Sequence, residues 1–246
     1  MPRASRYLLP GYTYHLTQRC HNRAFLLRFA KDRDAYREWL RVGAKRHGVP
    51  VYGFCITCNH VHIVVHVVDV EAVASLMRLA AGAGGQQYNR RKGLSGAFWE
   101  DTYHCTIIEN GKHLWNCLQY VDLNMVRAGV VTHPSEWRWC SYGELMGHRQ
   151  RYRILATERL LESLEGVSLN EMQAAYVASL HARLAAADNC RESQWTEALA
   201  VGSMDFVRAV QRQYHHRVRF VLEQGTTGSG QEIWTVRESR EAYGTF

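Results

Sequence analysis

The chain has 246 residues, 46% of them hydrophobic, and a formal net charge of +7. That length holds one large domain or a medium domain with a tail, and the apolar content suffices for a core; no run approaches the roughly 18 apolar residues of a membrane span. Seven scattered cysteines fit reduced thiols in a cytoplasm rather than a disulfide framework, and the N-terminus shows no apolar leader segment.

The charge is uneven. Residues 1–46 hold eleven Lys/Arg against three Asp/Glu, a local +8, and the remainder sums to −1. Tyr7, Tyr12, Tyr14, Phe25 and Phe29 lie in the same stretch. Basic residues among aromatic rings suit a nucleic-acid backbone with stacked bases. Arg37, Arg41 and Lys45 fit a solvated helix face equally well. Arg3, Arg6, Arg19 and Arg23 flank the first predicted strand and read better as DNA contacts.

Taken in order, Tyr12–Arg19 alternates as a strand. Asp32 caps a helix running to about Arg46, which Gly48 and Pro50 close. Val51–Thr57 and His60–Val68 are strands around a tight Cys58-Asn59 turn. Asp69 caps a helix from Val70 to about Arg91, with Gly82, Gly84 and Gly85 expected to break it ahead of a basic turn, Arg90-Arg91-Lys92, able to touch DNA phosphate. Tyr103–Ile108 is a strand, and Asn110 opens a helix reaching toward Val131. The order β-α-β-β-α-β predicts an α+β, ferredoxin-like antiparallel sheet with packed helices, with the His60 strand central. Beyond a tryptophan-rich linker, helical patterns recur near Thr157–Leu164, Ser168–Leu184 and Ser203–Val218. Gln224–Gln231 is Gly/Ser/Thr-rich and reads as a flexible linker. The expected division is a domain over 1–145, a helical C-terminal extension over 146–223, and a linker and tail over 224–246.

Two constellations carry chemistry. His60 and His62 stand two apart on a strand, so they share a face while Val61, Ile63, Val65 and Val67 take the other; an imidazole pair on a rigid strand can share a metal ion. Alone, the pair also fits a surface strand with two polar residues. His66 shares that face but lies about 13 Å from His62 along an extended strand, too far for the same ion. The second constellation is the helix from Lys112. Leu114, Leu118, Val121, Met125 and Ala128 form its apolar stripe. His113, Asn116, Tyr120, Asn124 and Arg127 form a neighbouring polar one. A phenol, a carboxamide and a guanidinium on one face, with the histidine strand, suit phosphodiester cleavage. Cys55-x-x-Cys58 has no second cysteine pair at zinc-finger spacing. The glycine cluster lacks the Gly-Lys-Ser/Thr ending of a phosphate-binding loop.

Several blocks then fall into a known order. They are Pro10-Gly11, Tyr14-His15-Leu16-Thr17-Gln18-Arg19, Asn22-Arg23, Asn59-His60-Val61-His62, Phe98-Trp99-Glu100, Tyr120-Val-x-x-Asn124 and Val126-Arg127-Ala128-Gly129-Val130-Val131. Over roughly residues 3–145 the chain resembles the REP-associated tyrosine transposases, single-tyrosine members of the HUH superfamily related to the IS200-like transposases. It departs from them at Met125, where relatives often carry Pro, and at Cys140-Ser141, where Ser-Ser is common. The resemblance implies a HUH fold, with His60, His62 and Asn124 holding Mg²⁺ or Mn²⁺ and Tyr120 as nucleophile. It further implies a 5′-phosphotyrosine intermediate and a single-stranded DNA substrate flanked by a hairpin, with a short tetranucleotide read by the basic N-terminal segment. A cytoplasmic monomer or homodimer is expected. The competing expectation is a catalytically silent ferredoxin-like module that binds nucleic acid and needs neither metal nor nucleophile.

Overall fold

The computed structural model describes residues 8–186, 192–214, 220–227, 230 and 232–238; Arg3, Arg6 and Cys190 lie outside the described residues. Its first part follows the predicted order: β1 (Thr13–Arg19), α1 (Ala30–His47), β2 (Val51–Ile56), β3 (His60–His66), α2 (Val70–Met77), α3 (Gly84–Lys92) and β4 (His104–Ile108). The strands line up as β2-β3-β1-β4, every neighbouring pair antiparallel. This is the ferredoxin-like arrangement, an α+β fold of the HUH type, and it makes β3 and β1 the central strands.

Alternation on β3 decides which face does what. Val61, Ile63 and Val65 are fully buried. Ile63 stands opposite Phe54 of β2, whose ring lies 5.9 Å from the Arg37 guanidinium of α1, so α1 covers this face. The face bearing His62 is covered by α4 (Lys112–Asp122) and α5 (Asn124–Arg127). α1 ends where predicted, on Gly48 at φ 64°, a conformation glycine adopts without a Cβ penalty. Asp69 caps α2 by accepting from the Glu71 N–H.

The expected glycine break does not occur. The chain passes from α2 through a π-helical turn, Arg78–Ala83, directly into α3. Gly85 serves packing instead: a Cβ there would sit 3.0 Å from the Phe98 Cβ. The predicted helix from Lys112 to Val131 is divided, because Leu123 (ψ 0°) interrupts it between α4 and α5, and Gly129 at φ 66° follows its end.

The C-terminal part is less helical than expected. Its helices are α6 (Tyr142–Leu145), α7 (Thr157–Ser163), α8 (Leu169–Ala185), α9 (Gln194–Glu197) and α10 (Met204–Tyr214); its strands are β5 (Ala200–Gly202), β6 (Phe220–Thr226) and β7 (Glu232–Glu238). β5 pairs parallel with β4, and β7 and β6 follow, giving one seven-stranded sheet ordered β2-β3-β1-β4-β5-β7-β6. Gln224–Thr226, expected to be linker, therefore belongs to a strand, and Glu232–Glu238 of the expected tail pairs on both edges. Ile233, Thr235 and Val236 of β7 are buried. A strand held between two neighbours lacks clean alternation, and the Gly/Ser/Thr run beside it masks its ends. Among the described residues no helix is long and apolar enough to cross a membrane.

Asp122 ties these parts together. It is buried at the end of α4, where it accepts from Ser141 Oγ (2.7 Å) and Tyr176 Oη of α8 (2.8 Å). Burial raises its pKa from 3.8 to about 6, against the lowering effect of those hydrogen bonds. A folded-state pKa above the unfolded one means the neutral acid favours folding. That contribution is complete below pH 3.8 and is lost as pH rises through about 6. Relative to Asp122→Asn, which does not titrate, the wild type is expected to lose up to about 3 kcal/mol between pH 3.5 and 7.5. Urea denaturation of both proteins at the two pH values measures this, and an unchanged difference would show that Asp122 does not titrate in the fold.

Candidate active site

The antiparallel register of β1 and β3 sets Arg19 opposite His60 and Thr17 opposite His62, so all four project from one face at one end of the sheet. α4 and α5 cross that end. Together they line an open cleft of about 890 Å³ that holds Arg19, His60, His62, Tyr120, Asn124 and Arg127, with Glu100, Asp101 and Glu197 at its walls. Four of the predicted residues thus converge. The His60 and His62 rings lie 4.8 Å apart between centroids, Asn124 Nδ2 is 2.9 Å from His62 Nε2, and the Tyr120 ring stands edge-on to His62 at 5.9 Å. Arg127 stacks its guanidinium 4.0 Å from the Tyr120 ring centroid and donates to the Tyr120 carbonyl at 2.7 Å. Arg23 is not part of this group: it is exposed in the turn after β1, its carbonyl accepting from Asn59 Nδ2. His113 and Asn116, from the same helix stripe, line a separate cavity. His66 stacks on Tyr52.

Hydrogen-bond roles fix the histidine tautomers. The Trp195 carbonyl can only accept, so His15 Nδ1, 2.7 Å away, carries its proton there. His15 Nε2 is then an acceptor, and His62 Nδ1 donates to it across 2.9 Å. The His62 Nε2 lone pair therefore faces Asn124 and the cleft. At His60, Thr57 Oγ1 spends its proton on the His60 carbonyl. It can then only accept, as does Asn59 Oδ1, and His60 Nδ1 donates to them at 2.9 and 2.8 Å. His60 Nε2 likewise keeps a lone pair. Both imidazoles hold the tautomer a metal ligand needs, with the other nitrogen tied down.

Electrostatics agree with that assignment. Burial holds the His62 pKa well below 6.5, with His60 and His15 adding to the effect, and burial brings His15 down to about 3. Neutral imidazole is the ligating form. Desolvation also lowers the Arg127 pKa. Among the described residues there is no cluster of three or more His, Cys, Asp or Glu placed to hold a metal. The donor set here is two imidazoles and an amide, and it fits a divalent ion once Asn124 turns its Oδ1 toward the cleft; amide oxygen and nitrogen exchange by a simple flip.

Residues 9–124 match the family model described as Transposase IS200 like. This segment belongs to the IS200-like transposase family. Among solved structures, the transposase domain is similar to a REP-associated tyrosine transposase bound to a REP hairpin, at 18% identity over 60% of this chain and 86% of that one, with a TM-score of 0.48. It is also similar to a protein described as a transposase from Deinococcus radiodurans R1, at 16% identity over 43% and 84% of the two chains, TM-score 0.33. No curated protein matches.

The transposase domain's site is finished by residues beyond the matched segment. Trp195, fully buried in α9, supplies the carbonyl for His15 and lays its ring 6.2 Å from that of Tyr120. Its Nε1 donates to Glu192, which also takes Arg183 of α8. Thr106 and His104 of β4 donate to the Ala198 carbonyl and dock this segment on the sheet. Sequence reading missed both His15 and Trp195. The alternation Thr13-x-His15-x-Thr17-x-Arg19 was the available signal for His15; for Trp195 there was none.

Proposed function

We propose that this transposase cleaves and rejoins single-stranded DNA, with Tyr120 as nucleophile and His60, His62 and Asn124 as the seat of a Mg²⁺ or Mn²⁺ ion. The observation that carries the reading is the meeting of those four side chains in one cleft with both imidazole Nε2 lone pairs turned toward it. A pure binding module requires no such meeting. The ion, when bound, would neutralise charge on the non-bridging oxygens of the scissile phosphate.

The chain's own residues supply the rest. Tyr120 Oη forms the new bond to phosphorus and the bond to the 3′ oxygen breaks; in net balance the phenolic proton ends on the departing 3′ hydroxyl. Arg127 and the wall formed by Trp195 and His15 hold the Tyr120 ring in place, which spares the entropy of orienting it. Arg19 lies at the cleft for a phosphate. Return attack by a 3′ hydroxyl releases Tyr120 and joins strands without an external energy source, because the phosphotyrosine conserves the bond. The motif blocks shared with REP-associated transposases support a hairpin beside the cleaved strand.

The test uses single-stranded oligonucleotides from the DNA flanking the gene, incubated with the full protein and Mn²⁺. A protein–DNA band that survives a denaturing gel and disappears on exhaustive chelation is expected. A band insensitive to chelation would remove the metal from the proposal. Tight binding with no band would favour the silent binding module.

A further inference from the structure

A second, enclosed cavity of about 160 Å³ lies between α1 and α3, lined by Leu27, Asp32, Tyr36, Tyr88, Arg91 and Phe98. It has the volume of about five waters at ~30 Å³ each, room for one planar ring. Three of its walls are aromatic, and Tyr88 and Phe98 meet edge-on at 5.0 Å. Two polar atoms in the lining, Asp32 Oδ2 and Tyr36 Oη, are buried without a hydrogen-bond partner. Asp32 is 6% exposed and Tyr36 1%. A buried acceptor left unmatched is costly, so this cavity calls for a ligand that brings an N–H group. The other Asp32 oxygen is taken by Arg91, which stands at the rim.

The surroundings say which kind of ligand. Phe25 and Phe29 are 65% and 51% exposed beside the cavity's α1 end, and Arg28 and Lys92 lie 5.9 and 5.3 Å from the Phe29 ring. Exposed rings among cations form a platform for single-stranded nucleic acid. The cavity also adjoins the catalytic cleft. Phe98 lines the one and Glu100 the other, two residues of extended chain or about 7 Å apart. Cys20 pairs with Trp99, and the Glu100 N–H reaches the Arg19 carbonyl, which fixes this stretch to the end of β1.

We infer that the cavity receives one unstacked nucleobase bearing an exocyclic amino group, from the strand whose backbone lies in the cleft; this rests on the strand-cleavage reading above. The amino group donates to Asp32 Oδ2, Tyr36 Oη meets a second polar atom of the base edge, and Tyr88 and Phe98 enclose the ring. Thymine has no exocyclic amino group and leaves Asp32 unmatched, so it is rejected.

The experiment is fluorescence anisotropy with the full-length protein. It compares oligothymidylate with the same oligomer carrying one cytosine, adenine or guanine; sliding of the strand lets that base find the cavity. At least one substitution is expected to tighten binding by about tenfold or more. Tyr88→Ala, at a half-buried position tolerant of truncation, and Asp32→Asn are each expected to remove that gain while oligothymidylate affinity stays within a few-fold. Photocross-linking of 5-iodocytosine to Tyr88 or Phe98 is expected as well. Equal affinity for all four oligomers, or a gain that survives both variants, would overturn the base pocket and leave the cleavage reading standing. Failure to bind any single strand would overturn the cleavage reading itself, and the pocket with it.

Discussion

Tyr120→Phe is expected to abolish the covalent protein–DNA product and leave DNA binding within a few-fold of wild type. The substitution removes one oxygen and nothing else. The ring keeps the Arg127 guanidinium at 4.0 Å, the edges of His15 and His62 at 6.1 and 5.9 Å, and the Trp195 ring at 6.2 Å. Its burial at 3% exposure rests on these contacts, so the fold should be unaffected. Phosphate affinity comes from cations that the change does not touch. What disappears is the atom that bonds to phosphorus, and no other hydroxyl of α4 faces the histidines. The check is a denaturing gel of wild type and variant with the same oligonucleotide and Mn²⁺, beside an anisotropy titration. Persistence of the adduct in Tyr120→Phe would transfer the nucleophile to another residue. Parallel loss of adduct and binding would mean that the phenol anchors DNA rather than attacks it.

The parts of this site that were legible from sequence are those set by local periodicity. Two residues of strand put His60 and His62 on one face, and one turn of helix puts Tyr120 and Asn124 on another, whatever the rest of the chain does. The order β-α-β-β-α-β limited the topology strongly, since antiparallel neighbours and short connections leave few ways to bury Val61, Ile63 and Val65. What was hidden depends on register and on distant segments. His15 reaches His62 only because β1 pairs with β3 in one register, and a slip of one residue would turn it to the other face. Trp195 lies 180 residues from His15, beyond any periodic signal. The same reason hid β5, β6 and β7: a three-residue strand and a hairpin beside a glycine-rich turn acquire their identity from the open edge of β4. His113 and Asn116 show the converse error. They share the polar stripe with Tyr120, but the stripe is longer than the cleft, and its first turn faces another cavity.

His15→Phe carries the second large effect, in metal affinity rather than in the covalent step alone. His15 stands between the Trp195 carbonyl and His62 Nδ1 and is fully buried. Phenylalanine fills most of its volume but accepts no hydrogen bond. His62 then loses the acceptor that keeps its proton on Nδ1, and its ring becomes free to place a proton on the nitrogen that faces the cleft. Removing the partner of a ligating histidine typically costs about 10- to 100-fold in metal affinity, and that range is expected for Mn²⁺ binding followed by calorimetry or by the loss of the free-ion paramagnetic signal. His15→Gln is the control. Its carboxamide can donate to the Trp195 carbonyl and accept from His62, so it should recover part of the loss where phenylalanine recovers none. A purely structural role would instead make both variants melt early and bind Mn²⁺ normally once folded. Unchanged Mn²⁺ affinity in a folded His15→Phe protein would show that the Trp195–His15–His62 chain does not govern the ligand. A loss shared equally by His15→Gln would assign the effect to ring packing rather than to the hydrogen bond.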